Sequence, residues 1–396
     1  MNDDWIDTSL GEVTSQVQEL TRIDSVSEYK LLGVRWYSEG PFHRETVTAD
    51  TSKATRLFKV RSGHFIYNRM FAWKGAFGLV NDDLDGCFVS NEFPLYECDA
   101  TRLLPAYLSL WFRQPSVWFE VAQVSTGTTA SRSRWKEAQF EAYRISLPPL
   151  PVQRRIVDLM AHLDNQIANL RTERDAAGVL LSVVRAELMH SEETIPLETV
   201  LHTVKAGGTP SRANPAFYGG DIPWLKSGEV ESDWITSTEE SVTEHGLSSS
   251  SAWLVPAGTP VLAMYGATAG VSGFLARPMA ANQAVLALVP KKEMANPRFL
   301  FHWLRLRGPL LKEAASGAAQ PNLSKQVVLR VCGFPDIPLT EQTEISETLD
   351  QISALSGSLQ KEIQTLSELR GNLLSLVLTQ ETDVHSAYDS LLDGVA

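Results

Sequence analysis

The side chains with the greatest chemical reach in this 396-residue chain are dispersed cations, amides and phenols, not a reactive cluster. Asn214-Pro215-Ala216-Phe217 comes nearest to a catalytic signature, the Asn/Asp-Pro-Pro-aromatic motif of amino-methyltransferases. Its second proline is missing, and no strand leading into a Gly-x-Gly turn is available to hold S-adenosylmethionine, so the fragment reads as structural. The sequence has no GxxxxGK[ST] phosphate loop, and its eight histidines form neither HExxH nor a triad-like arrangement. No carboxylate cluster with an adjacent lysine suggests a nuclease. Cys87, Cys98 and Cys332 are far apart and odd in number, which supports neither a disulfide framework nor a zinc cluster. They are expected to be buried thiols in a reducing cytosol.

The cations point to a different chemistry, the neutralising of a polyanion. Net charge is −12, but Glu341 to Ala396 hold ten acidic and two basic residues, so this segment carries −8 and the first 340 residues only −4. DNA binding needs a local basic face, because affinity comes largely from counterions released when Lys and Arg neutralise phosphates. Candidate patches are Arg61, Arg69 and Lys74, then Arg132, Arg134 and Lys136, and in the second half Lys205, Arg212, Lys226 and Lys325. Solvated surface charge is the plain alternative for each of them.

These residues are carried by a chain that repeats itself. Residues 145–170 and 334–359 are two versions of one module, with Pro149, Leu150, Gln153 and Ile156 opposite Pro338, Leu339, Gln342 and Ile345 at a shift of 189. Upstream of each lies a Gly/Ser/Thr-rich loop, STGTTASRS from Ser125 and SGAAQPNLS from Ser316. More weakly, Val60–Val80 lies over Val255–Leu275, Ser90-Asn91 over Ala281-Asn282, and Leu10–Val13 over Leu197–Val200. Two bodies alike in fold and unlike in surface, with matching exits, are expected of a protein that holds two binding surfaces in fixed relation.

Each exit leads into an amphipathic helix. Ile345, Ile352, Leu359, Leu366 and Leu373 recur every seven residues, with Leu349, Ile363 and Val377 between them and Ser356 and Arg370 as interruptions. The first copy has Ile156, Leu163, Leu170, Ala177 and Val184, interleaved with Met160, Ile167, Leu181 and Leu188 and broken by Arg174. One apolar stripe per helix predicts mutual packing as an antiparallel pair about 50 Å long. Pairing of each stripe with another protein is the competing reading.

Composition allows all of this: 43% hydrophobic and 21% charged residues are ordinary for two or three globular domains. The acidic N-terminus MNDDWIDTSL lacks an apolar signal region, and no stretch approaches a membrane span, so a cytoplasmic protein is expected. In the bodies, Pro260–Met264 and Ala284–Leu288 read as strands, and Leu104–Phe112 and Ala295–Arg305 as helices with Trp111 and Trp303 in the core.

The ordered set GGTPSRANPAFYGGDIPWLKSGEV from Gly207, YGATAGVSG from Tyr265, AANQAVLALVP from Ala280 and SGAAQPNLSKQ from Ser316, followed by the PLTEQ helix entry, resembles one family. That family is the specificity subunits of type I restriction-modification systems. GHFIYNRMFAWKGAFG from Gly63 and VSNEFPLYE from Val89 look like a second variant of the same recognition domain, so the resemblance covers nearly the whole chain. It implies an α+β architecture of two mixed α/β target recognition domains in pseudo-two-fold arrangement, separated by two long helices that form an antiparallel coiled coil. The expected boundaries are 1–150, 151–190 for the central helix, 191–338, and 339–396 for the second helix and acidic tail.

In such a subunit each recognition domain reads half of a split, asymmetric double-stranded DNA target, and the helices act as a ruler and dock two modification subunits. Those subunits bind S-adenosylmethionine and methylate adenine, and an ATP-dependent restriction subunit can join them. The subunit itself is expected to bind no cofactor and no metal and to be no enzyme.

Reading bases requires paired donors and acceptors, Arg to guanine or Asn and Gln to adenine, while Lys, Arg, Ser, Thr and backbone N–H groups hold phosphates. Tyr67, Asn68, Arg69 and Lys74 in the first body, and Arg212, Lys226, Tyr265 and Thr268 in the second, are the candidates for base contact or nearby positioning. A non-catalytic protein-binding scaffold, or an anti-restriction decoy of the same fold, is the alternative. It would lack sequence-selective DNA binding.

Overall fold

The computed structural model describes residues 5–379 apart from Lys53, 128–132, Ser232 and 316–321. It divides into two compact units, Met1–Asn169 with Ile363–Ala396, and Leu170–Glu362.

The first unit runs β1 (Ile6–Ser9), β2 (Thr14–Val17), β3 (Leu20–Arg22), β4 (Tyr29–Arg35), β5 (Gly40–Val47), β6 (Arg56–Lys59), β7 (Phe65–Tyr67), β8 (Phe77–Leu79), β9 (Phe88–Val89) and β10 (Leu95–Cys98). Helices α1 (Pro105–Trp111), α2 (Pro115–Val124) and α3 (Glu137–Ala142) follow, then β11 (Arg144–Leu147) and the long α4 (Leu150–Leu188). Pro105 and Pro115 open their helices, where a missing N–H costs nothing and the fixed φ is already helical.

The second unit runs β12 (Thr194–Ile195), β13 (Leu201–Ala206), β14 (Tyr218–Leu225), β15 (Ser241–Val242), α5 (Glu244–Ser248), β16 (Pro260–Ala263), β17 (Ser272–Phe274), β18 (Ala280–Ala281) and β19 (Val285–Pro290). It ends with α6 (Pro297–Ala315), α7 (Lys325–Val331), β20 (Phe334–Pro335) and the long α8 (Leu339–Leu378).

The internal repeat reappears as topology. A four-stranded antiparallel sheet has the order β2-β10-β7-β8 in one unit and β13-β19-β16-β17 in the other. The hairpin strands β7 and β8 correspond to β16 and β17, as the overlay of Val60–Val80 on Val255–Leu275 requires. In each unit the first strand also pairs antiparallel with the strand that precedes the long helix, β1 with β11 and β12 with β20. The outer sheets diverge: five strands, β3-β6-β9-β4-β5, in the first unit, and three, β15-β14-β18, in the second.

Apolar side chains of the four-stranded sheets face the helices. In the first unit Tyr67, Phe77, Tyr96, Phe112, Trp135 and Phe140 form one aromatic cluster, with Tyr96 to Phe140 at 4.1 Å and Phe77 to Phe112 at 4.5 Å between centroids. In the second, Leu262, Leu286, Phe299, Trp303 and Phe334 are buried together. Trp303 is a core residue as expected, and Trp111 packs partly buried against the first core.

Helices α4 and α8 each pass from one unit into the other, and they run antiparallel within each. In the first unit Ile156, Met160 and Leu163 share a cluster with Leu374, Val377 and Leu378, while Arg370 Nε donates to Asp164 at 2.6 Å. In the second, Leu181 and Val184 share a cluster with Ile345 and Leu349, and Arg174 Nη1 donates to Gln360 at 2.8 Å. The two arginines that interrupt the heptads are therefore polar cross-links between the helices. Of the heptad positions, Ile156, Leu163, Ala177, Ile345 and Leu359 are buried, whereas Leu170, Leu181, Ile352, Leu366 and Leu373 are half-buried. Two positions depart from the pattern: Leu374 buries more fully than its neighbour Leu373, and Leu188 is exposed at the helix end while Met189 is buried in its place.

Candidate nucleic-acid interface

In the first unit Arg69, Arg134 and Lys136 gather where the chain that follows α2 rejoins the body. The loop closes where Thr126 and Arg134 exchange backbone hydrogen bonds of 3.1 and 2.9 Å, and the next residue, Trp135, donates its backbone N–H to Arg69 O at 3.0 Å. Arg134 holds Glu92 through Nε and Nη2, both at 3.1 Å, and Arg69 is ion-paired with Glu137. Lys136 is exposed beside them at the start of α3. Arg132 lies outside the described residues. Arg61 stands apart, bonded to Glu19 at 3.0 and 2.9 Å, and Lys74 places its ammonium 3.8 Å from the Trp36 ring centroid.

Two sequence expectations need correction. Tyr67 is fully buried in the aromatic core, where burial raises its phenol far above the ordinary range, so it presents nothing to a ligand. Asn68 is also buried, and its Oδ1 accepts the Met70 N–H at 3.0 Å, a turn-forming role for which asparagine is well suited. The position of β7 explains both: it is an interior strand buried on both faces, so the residues at and just after its end remain under the surface.

In the second unit Arg212 and Lys226 converge on one carboxylate. Arg212 Nη1 donates to Glu240 Oε2 at 2.6 Å and Lys226 Nζ to Oε1 at 3.3 Å, with a second Lys226 bond to Glu239 at 2.6 Å. The Arg212 hydrogen bond holds Glu240 below the usual carboxylate range despite some burial, and the Lys226 bond adds to it. The Arg212 guanidinium lies over two rings, 4.4 Å from the Tyr218 centroid and 5.0 Å from that of Trp224.

Tyr265 and Lys325 line one hollow with Asn322, and both are exposed. Tyr265 bridges to Asn322 through the backbone. Thr268 is half-buried at the end of a short turn, Gly266–Thr268, and Lys205 lies 5.3 Å from the Trp253 ring centroid.

The carboxylates Glu92, Glu137, Glu239 and Glu240, and the exposed pair Trp36 and Tyr37, were missed from the sequence. The carboxylates are distant in sequence from the cations they hold, Glu239 from Lys226 and the others from arginines. Tyr37 and Ser38 did leave one signal, since WYSEG between two strand-like runs is a turn; both residues adopt positive φ, 58° and 55°.

A partly buried ionic network, centred on the buried His302, ties the second body to both long helices. Arg298 Nε holds both Asp350 oxygens at 3.0 and 2.9 Å, and His302 Nε2 lies 2.8 Å from Asp350. Arg185 of α4 lies 3.4 Å from His302 Nδ1, and Arg305 reaches Asp233 at 3.1 Å. Ser353 of α8 also bonds Asp233. Among the described residues no His, Cys, Asp and Glu group could hold a metal ion, and no helix is long and apolar enough to cross a membrane.

This duplicated architecture matches known proteins. The sequence profile described as "Type I restriction modification DNA specificity domain" matches residues 2–177 and again 192–368. The type I restriction enzyme HindI specificity subunit of Haemophilus influenzae is 21% identical over 96% of this chain and 99% of that protein. The EcoR124I/EcoR124II specificity subunit of Escherichia coli is 24% identical over 69% of each. The crystal structure of the type I restriction-modification S subunit from M. genitalium has a TM-score of 0.59 at 13% identity, over 96% of this chain and 97% of that one, a likeness of fold. With both of its halves matched in this way, the chain belongs to the type I restriction modification DNA specificity domain family.

Proposed function

We propose that this chain is the non-catalytic sequence reader of a type I restriction-modification complex. Residues 1–150 and 191–338 act as recognition domains for the two halves of a split, asymmetric DNA target. The observation that carries this reading is the double match to one DNA specificity domain, on units that share an inner sheet and differ in the outer one. Different outer sheets present different donors and acceptors to base edges, which is the requirement for two unlike half-sites.

The residues proposed to meet DNA are Arg61, Arg69, Lys74, Arg134 and Lys136 in the first domain and Arg212, Lys226, Tyr265, Thr268 and Lys325 in the second. Several are ion-paired, and such exposed pairs are worth about 0 to 1 kcal/mol, so phosphate can replace the carboxylate at small cost. Helices α4 and α8 are proposed to set the spacer and to dock two adenine methyltransferase subunits, which bring S-adenosylmethionine. A restriction subunit joins the same cytoplasmic complex where one is made.

Methylome sequencing of a host that expresses the chain with adenine methyltransferase subunits tests the reading. The expected result is one two-part motif with a fixed spacer. Absence of any new motif in a complex that assembles would favour the scaffold reading.

A further inference from the structure

The loop Gly207–Arg212 is built into its place from three sides. A Cβ on Gly207 would lie 2.0 Å from Ala281 O, and one on Gly208 would lie 2.2 Å from Ala252 N, so only glycine lets the chain pass between these backbones. From beneath, Trp224 Nε1 donates to Gly208 O at 3.0 Å and the Tyr218 hydroxyl to Pro210 O at 2.6 Å. Those same two rings carry the Arg212 guanidinium, and they meet edge to face at 5.9 Å. Trp224 is itself buried, so the platform under the arginine is fixed by the core.

Glu240 then restrains the guanidinium in its plane. Its position is set in turn by the backbone, since Trp224 N donates to Glu240 O at 2.9 Å, and by Lys226 on its other oxygen. An arginine stacked on two rings and bonded at one nitrogen has lost most of its rotamer freedom. More than half of its side-chain surface still faces solvent at 55%, and the guanidinium N–H groups beyond the one on Glu240 are left to form a fork. The complement of such a fork is a planar pair of acceptors, which in duplex DNA is the O6 and N7 edge of guanine. A phosphate can accept the same fork through two of its oxygens, but it tolerates many approach directions, whereas the ring platform and the carboxylate fix a single aim, as a base edge requires.

We infer that Arg212 reads one guanine in the half-site of the second domain, and that Glu240 is the positioning residue that sets its guanidinium for that contact. The inference rests on the proposed role of the chain as a DNA sequence reader.

The test is the methylome of hosts expressing the full-length chain with its adenine methyltransferase subunits, as wild type, Arg212→Lys, Glu240→Gln and Lys226→Ala. Arg212→Lys keeps the charge and loses the fork. It is expected to relax one G·C position in one half-site, with discrimination there falling on the order of tenfold or more while the other half-site is unchanged. Glu240→Gln, which can still accept one hydrogen bond, should weaken discrimination at that same position and at no other. Lys226→Ala, which frees one oxygen of Glu240, should lower methylation at all sites and relax no position other than the one that Glu240→Gln relaxes.

Arg212→Lys methylating the wild-type motif with undiminished preference at every position would overturn the inference and leave Arg212 a phosphate contact. So would Glu240→Gln relaxing a different position. The unchanged half-site reports that each variant is folded and assembled. Failure of the wild type to yield any two-part motif would instead sink the sequence-reader role itself.

Discussion

Gln153 and Gln342 make the same three hydrogen bonds in their respective units. Gln153 Oε1 accepts the backbone N–H of Leu104, just before α1, at 2.8 Å, and its Nε2 donates to Arg102 O and Pro148 O at 2.7 and 2.8 Å. Gln342 Oε1 accepts from Asn296 N, just before α6, at 2.9 Å, and its Nε2 donates to Met294 O and Ile337 O at 3.1 and 3.0 Å. Both side chains are buried. One amide thus satisfies three backbone groups where the body helix, the exit strand and the long helix meet. Each glutamine is the joint that fixes a recognition body on its long helix.

Removing either joint should cost more than an average polar contact, because three backbone groups, most of them partly buried, lose their partner at once. Gln153→Ala and Gln342→Ala are each expected to destabilise their own unit by roughly 2 to 4 kcal/mol. Hydrogen exchange should show lost protection near residues 102–104 in the first variant and near 294–296 in the second. Equal loss in both regions from one substitution would show that the joints are not local.

The network around Asp350 should make the second unit sensitive to acid. Burial pushes Asp350 up, but hydrogen bonds from His302 and Arg298, with the Arg298 charge, hold it below its ordinary range. His302 is also lowered, chiefly by burial, against the hydrogen bond to Asp350 that raises it, with the charges of Arg185 and Arg298 adding to the lowering. For both groups the folded state binds protons less readily than the unfolded one, so both contributions are complete at neutral pH and shrink as pH falls. That of His302 fades below about pH 6.5 and that of Asp350 below about pH 4. His302→Gln should flatten the loss of stability between about pH 7 and pH 5, as followed by chemical unfolding, and an unaltered slope would exclude His302 as its source.

Gly207→Ala places a methyl group against the Ala281 carbonyl, which is backbone and yields little. Overpacking of this kind is expected to cost roughly 1 to 3 kcal/mol in the second unit. The first unit should keep its full thermal and exchange stability, which is the control for a local effect.

The paired helices predict a spacer effect. Deleting one heptad from either helix moves later residues by about 10 Å, or some three base pairs, and breaks the register that joins Asp164 to Arg370. The expected outcome is an altered spacer or loss of methylation, with the base preferences of each surviving half-site unaltered. Retention of the original spacer at full methylation would refute the ruler role.

The sequence by itself determined the duplication, the two long helices, the glutamine that recurs in PVQ and TEQ, and the lack of any reactive motif. These are local or periodic properties, and a heptad stripe or a repeated exit survives without knowledge of what packs on it. Only tertiary structure decided which polar residues face outward. Tyr67 and Asn68 read as surface because GHFIYNRMF is rich in hydrogen-bonding groups, yet β7 is a central strand and buries both faces. The partners of Arg69, Arg134 and Arg212 lie 68, 42 and 28 residues away in sequence, so no spacing rule could supply them. Ion pairing is set by distance through space, and the fold alone brings Glu240 beside the stacked guanidinium of Arg212.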